Sequence, residues 1–137
     1  MESAPELCEL LQRYYAASAQ GDTDFLAQLI ARHPGTLVVG TDAAEWWYGG
    51  EQIIATWSAA WRERGGLPVH SSRPEAYRAG DVGWVADQAM WRLPTGQSIS
   101  FRLTAIFHRQ GQAWQMVQAH FSVGVPNERL AEQAAAE

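Results

Sequence analysis

The chain has 137 residues, of which 47% are hydrophobic and 18% are charged, and its formal net charge at pH 7 is −5. This length and composition predict one globular domain with its own hydrophobic core and exclude a disordered chain. The negative charge, with basic residues scattered along the sequence, argues against binding to nucleic acid, whose phosphates require a basic surface.

Targeting signals and disulfides are also not expected. The amino terminus is acidic and lacks the apolar run of a signal peptide, and no stretch approaches the ~20 apolar residues of a membrane span. The single cysteine, Cys8, rules out an internal disulfide. We therefore expect a soluble cytoplasmic protein that does not bind a membrane.

Three helices are predicted in the first half of the chain. Apolar residues recur at helical spacing in residues 4–20 and, after a cap at Asp22 or Thr23, in a shorter stretch that ends before Pro34. A third apolar stripe predicts a helix over residues 50–63.

The remaining segments are predicted to form mainly a sheet, whose long strands lie in the second half of the chain. Residues 36–41 read as a first short strand, residues 42–48 as a loop, and residues 127–135 as a polar helix. The long strands are predicted over residues 69–78, 82–93, 98–108 and 112–125. Helices followed by a meander favour an α+β fold, in which three helices pack on one face of a strongly curved antiparallel sheet. The space between the helices and the sheet is the natural cavity of such a cone.

The last two strands alternate between an apolar and a mixed face. The apolar face is predicted to carry Ile99, Phe101, Leu103, Ala105, Phe107, Val117, Ala119, Phe121 and Val123. The mixed face is predicted to carry Trp114, Met116, Gln118, His120 and Ser122, and the same face of the preceding strand at 82–93 carries Trp84 and Gln88. Because bulky apolar side chains on an open sheet face promote association, we expect a homodimer through this outer face. His120 and Ser122 would then form hydrogen bonds across the interface and would not act as a base and a nucleophile.

Two segments resemble a known superfamily. The sequence QRYYAASAQGD at residues 12–22 resembles the first helix and turn of ketosteroid isomerases. The segments TAIFH, WQMV and HFS within residues 104–122 resemble the closing hairpin of the association domain of calcium/calmodulin-dependent protein kinase and of SnoaL-like proteins. The chain is thus similar to the SnoaL-like, ketosteroid isomerase-like branch of the nuclear transport factor 2-like superfamily. The resemblance implies a cystatin-like cone as a single domain over residues 1–137, with a short polar tail or helix at 127–137.

The resemblance carries over little of the isomerase's chemistry. The tyrosine that holds the oxyanion in the isomerase falls on Tyr14. Its two aspartates would fall at about Val39 and Leu103, where an aliphatic side chain can neither take nor donate a proton. Steroid-isomerase chemistry is therefore expected to be absent, although the superfamily also includes cyclases, dehydratases, scaffolds and transport factors.

Asp87 is the candidate acid or base. It shares the predicted inward face of its strand with Val85, Ala89 and Trp91, at the place where the kinase association domain carries a pocket arginine. A carboxyl group in an apolar cavity favours its neutral form unless a cation or several donors meet it. The alternative is that Asp87 pairs with an arginine or a tyrosine hydroxyl and is structural.

Seven tryptophans stand in the chain, either as bulky core residues or as the lining of a pocket. The predicted ligand-binding residues are Trp46, Trp57, Trp61, Trp91, Leu103, Ala105 and Phe121. They would bind a small cyclic molecule, neutral or weakly polar. No metal and no nucleotide cofactor are expected, because no ligand cluster and no phosphate-binding glycine motif occurs.

Three interpretations remain open at this stage. The first is an isomerase, cyclase or dehydratase with Asp87 as acid or base and Tyr14 as hydrogen-bond donor to a developing oxyanion. The second is a non-catalytic module for ligand binding or association, and the third is a scaffold whose cavity is filled by its own tryptophans.

Overall fold

The helices lie mainly in the first half of the chain and the long strands in the second half. The computed structural model describes residues 1–136, so position 137 of the predicted tail lies outside the described residues. In chain order the elements are β1 (Glu2–Ser3), α1 (Pro5–Gln20), α2 (Thr23–Leu29), β2 (Leu37–Val39), β3 (Trp46–Tyr48), α3 (Gly50–Arg64), β4 (Val69–His70), β5 (Glu75–Ala79), β6 (Val82–Arg92), β7 (Ser98–Gln110), β8 (Ala113–Ser122) and α4 (Asn127–Ala136).

The ends of the first two helices follow from local chemistry. Gly21 ends α1 in the left-handed conformation, with φ of 70°, which glycine adopts without steric cost. The side chain of Asp22 then accepts a hydrogen bond of 3.1 Å from the backbone N–H of Phe25 and caps α2. The predicted break between the two helices is therefore confirmed, and it turns α2 back toward the sheet.

The sheet has the strand order β1-β5-β6-β7-β8-β2-β3, and β4 also pairs with β6. Its pairs are antiparallel, as predicted, except that β2 runs parallel to β8, so the sheet is mixed. The predicted loop at 42–48 contains β3, which pairs with β2. The predicted strand at 69–78 is divided into β4 and β5 by residues 71–74, where Ser71 has a positive φ of 57°.

The inner face of the sheet forms the core with α1, α2 and α3. Phe101, Leu103, Ala105 and Phe107 of β7 are at most 1% exposed, as their alternation predicts. Leu7 and Leu11 of α1, Leu26 of α2 and Ile53 of α3 are fully buried in the same core. Burial of these apolar faces against each other is the main favourable free energy of the fold.

A β-bulge near the start of β8 reverses the predicted faces of two residues. Ile106 pairs with Gln118, but the next residue of β7, Phe107, pairs with Met116, so Val117 is an extra residue in its strand. One extra residue moves every side chain beyond it to the opposite face. Met116 is therefore 1% exposed in the core and Trp114 packs against the core, and the prediction that both lie on the outer face was wrong.

None of the helices within residues 1–136 is both long and apolar enough to cross a membrane.

Candidate functional site

A cavity of about 660 Å³ lies between the helices and the inner face of the sheet. Its walls are mainly aromatic, formed by Tyr14, Tyr15, Trp47, Trp57, Trp61, Trp91 and Phe121. Its rim, defined here as the lining residues that are exposed to solvent, consists of Thr41, Arg64 and Pro94. A concave, mostly apolar space with a few polar groups is the usual form of a small-molecule site.

Each wall of the cavity comes from a different element. Trp57 and Trp61 are four residues apart on α3, so both side chains lie on the same face of that helix. Trp47 of β3 stands opposite the buried Val38 of β2, which places it on the inner face of the sheet. Its ring meets the ring of Trp57 edge to face, with centroids 5.7 Å apart and planes at 85°.

The back of the cavity is a stacked aromatic group from the sheet. Trp91 of β6 lies parallel to Phe101, with centroids 3.9 Å apart and an interplanar angle of 15°. Trp91 lines the cavity, whereas Phe101 is fully buried behind it. One face of the Trp91 indole is thus covered by Phe101, which fixes the plane of the ring.

Tyr14 brings a polar group into these apolar walls. Its side chain is 6% exposed, and its ring centroid lies 6.0 Å from that of Trp61 and 6.5 Å from that of Trp57. Its hydroxyl forms no hydrogen bond with any residue of the described chain. Every fully buried polar side-chain atom in that part of the chain has a hydrogen-bond partner, so the Tyr14 hydroxyl is not fully buried. The hydroxyl must therefore open on the cavity. Burial raises the pKa of Tyr14 well above its ordinary value, so the group stays protonated and can donate a hydrogen bond.

Asp87 is buried but is not among the residues that line the cavity. Its Oδ2 accepts hydrogen bonds from the hydroxyls of Tyr15, at 2.7 Å, and Ser72, at 2.6 Å. Its Oδ1 accepts a third, of 2.9 Å, from the backbone N–H of Arg73. Within residues 1–136 no cation forms an ion pair with it. These three hydrogen-bond donors, and no cation, compensate for the loss of water around this carboxylate.

Tyr15, and not Tyr14, is the tyrosine that contacts Asp87. The structure thus shows the alternative in which Asp87 pairs with a tyrosine hydroxyl, and Tyr14 does not share this contact because consecutive side chains of a helix point about 100° apart. Burial, together with the hydrogen bond to Asp87, raises the pKa of Tyr15 far above its ordinary value. The hydroxyl proton of Tyr15 is committed to Asp87, which leaves Tyr14 as the tyrosine free to donate to a ligand.

The structure brings five of the predicted site residues together in the cavity wall: Tyr14, Trp57, Trp61, Trp91 and Phe121. It places Trp46 outside the wall, 53% exposed, because β3 turns its neighbour Trp47 inward. Leu103 and Ala105 lie on the expected face but are 1% exposed within the packed core and do not reach the cavity.

Tyr15 and Arg64 line the cavity and were missed by the sequence reasoning, and Trp47 lines it without having been among the predicted ligand-binding residues. The signal for Trp47 was present in the alternation of residues 46–48, which the loop assignment concealed. Nothing in the sequence marks Arg64 as different from Arg62, two residues earlier on α3.

Val39, the position expected to correspond to the isomerase's first aspartate, lies on the outer face of the sheet. Val39 pairs with Trp46 and His120 on the outer face, so the inward residues of this segment are Val38 and Gly40. Neither of these can transfer a proton, and the expectation that this chemistry is absent does not depend on the register of β2.

The described part of the chain holds no group of three or more His, Cys, Asp or Glu side chains placed to bind a metal ion.

A family model described as a SnoaL-like domain matches residues 8–126. No curated protein matches the chain.

Solved structures of similar shape share little sequence with the chain. A nuclear transport factor 2-like protein of unknown function from Pseudomonas putida KT2440 has a TM-score of 0.71 at 19% identity, over 91% of this chain and 89% of that one. An uncharacterised protein with a cystatin-like fold from Caulobacter vibrioides has a TM-score of 0.67 at 15% identity, over 96% of both chains. A protein provisionally named a ketosteroid isomerase, from Parabacteroides distasonis ATCC 8503, has a TM-score of 0.71 at 16% identity, over 88% of this chain and 87% of that one. These similarities confirm the predicted α+β, cystatin-like fold.

Proposed function

Since the chain belongs to the SnoaL-like domain family, we propose that it binds a small cyclic, largely apolar organic molecule in its aromatic cavity. The observation that carries this proposal is the free hydroxyl of Tyr14 in an otherwise apolar wall. Because this hydroxyl opens on the cavity, a ligand oxygen that accepts its hydrogen bond is expected to add about 0.5–1.5 kcal/mol to binding.

The form of the walls supports a planar or cyclic ligand. Trp91 is held in a fixed plane by Phe101, and Trp47 and Trp57 hold each other edge to face. Rings prefer offset stacking or edge-to-face contact, so a flat molecule gains more from these walls than a flexible chain does. The volume of about 660 Å³ is in the range of ordinary small-molecule sites, which argues against a scaffold filled by its own tryptophans.

The surroundings of Asp87 favour binding over acid–base catalysis. An acid or base must reach the proton that it transfers, and Asp87 lies behind Tyr15 with three hydrogen bonds already made. We therefore assign Asp87 a structural role, in which it joins α1, β6 and the segment at 71–74. Tyr14 remains the residue that would donate to a ligand oxygen, as it would in the isomerase, cyclase or dehydratase interpretation.

The proposed partner of the protein itself is a second copy of the chain. Tyr77, Trp84 and Ile106 are opposite one another on three adjacent strands, on the face turned away from the helices. Tyr77 is 39% exposed, and Trp84 and Ile106 are half-buried. An apolar row of this kind supports a homodimer through the outer face even though Trp114 and Met116 lie inside.

Native mass spectrometry of freshly purified protein tests the binding proposal. The expected result is a population with an added mass of a few hundred daltons that is lost on denaturation. Protein that carries no added mass, and that still shows none after incubation with a mixture of small aromatic compounds, would contradict the proposal.

A further inference from the structure

Arg64, at the rim of the cavity, has no carboxylate partner within residues 1–136. Arg32, Arg78 and Arg109 each form an ion pair with an acidic side chain, at 2.9, 3.3 and 3.1 Å. Arg64 forms neither an ion pair nor a side-chain hydrogen bond there, although it lines the same cavity as Tyr14. Its guanidinium group is therefore available to a ligand, with five N–H donors in a planar fork.

Glu45 is the other charged residue that lines the described cavity, and it is held by its own loop. Its Oε1 accepts a hydrogen bond of 2.9 Å from the backbone N–H of Asp42, and its side chain packs against Gly40. It does not reach Arg64, since no ion pair joins them. Among the described residues, the cavity lining thus has one negative group that is held by its own loop and one positive group that forms no ion pair.

The interior and the rim together describe a ligand with two different ends. The interior offers aromatic faces and the neutral hydroxyl of Tyr14, and the rim offers the guanidinium of Arg64. A molecule with a ring and one anionic group would match both parts at once. A guanidinium group and a carboxylate match in geometry as well as in charge.

We infer that the ligand is an aromatic or alicyclic carboxylic acid, whose ring lies among the tryptophans and whose carboxylate binds Arg64. The inference rests on the proposed function, since it names the class of molecule that the cavity takes. A singly charged carboxylate fits better than a doubly charged phosphate, because the cavity lining holds one arginine and one glutamate on a chain with a net charge of −5. This inference replaces the earlier expectation of a neutral or weakly polar ligand with that of a cyclic molecule that carries one negative charge.

Two probes of almost the same shape test the inference by isothermal titration calorimetry at pH 7. 2-Naphthoate carries the carboxylate, and 2-naphthamide replaces it with a neutral amide. The wild type is expected to bind naphthoate about fivefold more tightly than naphthamide, the factor expected for one partly exposed charge pair. Arg64→Gln should remove this advantage, so that the variant binds naphthoate and naphthamide equally well.

Arg62→Gln is the matched control. Arg62 lies on the same helix, is exposed, and does not line the cavity, so its loss changes the net charge equally without touching the ligand. Arg62→Gln is expected to keep the full preference for naphthoate.

The outcomes separate this inference from the proposed function. If naphthamide binds and Arg64→Gln keeps the preference for naphthoate, the role of Arg64 is overturned while the cavity remains a binding site. An equal loss of preference in both variants would also overturn it, because the effect would then be one of net charge. If neither probe binds the wild type, the inference and the proposed function both fall.

Discussion

The hydroxyl of Tyr15 donates a hydrogen bond of 2.7 Å to Oδ2 of Asp87, across 72 positions of the sequence. The bond joins α1 to β6 at the inner edge of the cavity and commits the only proton of that hydroxyl. Tyr14, one residue earlier, contributes its ring to the same cavity, and its hydroxyl donates to no residue within 1–136. Adjacent tyrosines thus separate a structural hydrogen bond from a binding group.

Asp87→Asn is expected to lower the free energy of unfolding by about 1–3 kcal/mol, because the amide N–H₂ either faces the backbone N–H of Arg73 or forces the Tyr15 and Ser72 hydroxyls to turn their protons away. Urea denaturation at pH 7 measures the change. Asp81→Asn is the control: it removes the same charge from a side chain that is 64% exposed, and should change stability by about 0.5 kcal/mol or less. If Asp87→Asn were as stable as the wild type, the structural role of Asp87 would be wrong.

Tyr14→Phe and Tyr15→Phe are expected to affect different properties. Tyr15→Phe leaves Asp87 with one donor fewer and should lower the free energy of unfolding by about 1–3 kcal/mol. Tyr14→Phe breaks no hydrogen bond within the described residues, so its stability should stay within about 0.5 kcal/mol of wild type while binding of a ring-shaped ligand weakens. Urea denaturation and calorimetric titration of both variants check this. Equal losses of stability would refute the separation of roles.

Alkaline pH is expected to destabilise the protein through its buried tyrosines. The pKa of Tyr14 is raised from an ordinary value of 10.0, so above pH 10 the unfolded chain loses this proton while the folded chain keeps it. Stability then falls as pH rises, by about 1.4 kcal/mol per pH unit for each such group. Urea denaturation between pH 8 and pH 11 should show a shallower fall for Tyr14→Phe than for wild type. Parallel curves would mean that Tyr14 ionises as readily in the folded chain as in the unfolded one.

The elements that the sequence predicted well are those with a strong local signal. The alternation in residues 98–108 gave both the strand and its buried face, and Gly21 with Asp22 marked the break between α1 and α2. A period of two or of 3.6 is a property of the chain itself, so it can be read without knowledge of the fold.

The features that the sequence did not reveal depend on contacts between distant segments. The bulge at Val117 exists only in the pairing of β7 with β8, and it moved Trp114 and Met116 inward. Strand β3 forms because β2 stands beside it, and β2 is placed by its parallel pairing with β8. The partner of Asp87 likewise depended on which of two adjacent tyrosines faces β6, a rotation of about 100° that helical periodicity could not settle.

The homodimer is expected to be disrupted by a charge in the apolar row of the outer face. Ile106 lies between Trp84 and Gln118 on the two neighbouring strands. Ile106→Glu places a carboxylate there, and burial of that charge in an interface would be costly. Sedimentation equilibrium at micromolar concentration should give twice the mass of one chain for wild type and the mass of one chain for Ile106→Glu. Leu130→Glu, which makes the same change at an exposed position of α4, should remain a dimer. A monomeric wild type would contradict the proposed interface.

Purified protein is expected to contain no stoichiometric transition metal. The sequence offers no three-ligand cluster with metal spacing, and the proposed binding uses hydrogen bonds and ring contacts alone. Metal analysis of protein prepared without an affinity tag is the measurement. About one equivalent of zinc, iron or copper per chain would overturn this prediction.

The central claim, that the aromatic cavity is the binding site, is tested most directly by filling it. Ala60 lines the cavity, whereas Ala59, its neighbour on α3, is exposed and does not. Calorimetric titration with neutral 2-naphthamide should give binding in the range of about 0.01 to 1 mM for wild type and Ala59→Phe. Ala60→Phe, with its fold verified by thermal denaturation, should weaken binding at least about tenfold, because its ring occupies the space of the ligand. Undiminished binding to Ala60→Phe would show that the ligand lies elsewhere, and the claim would be wrong.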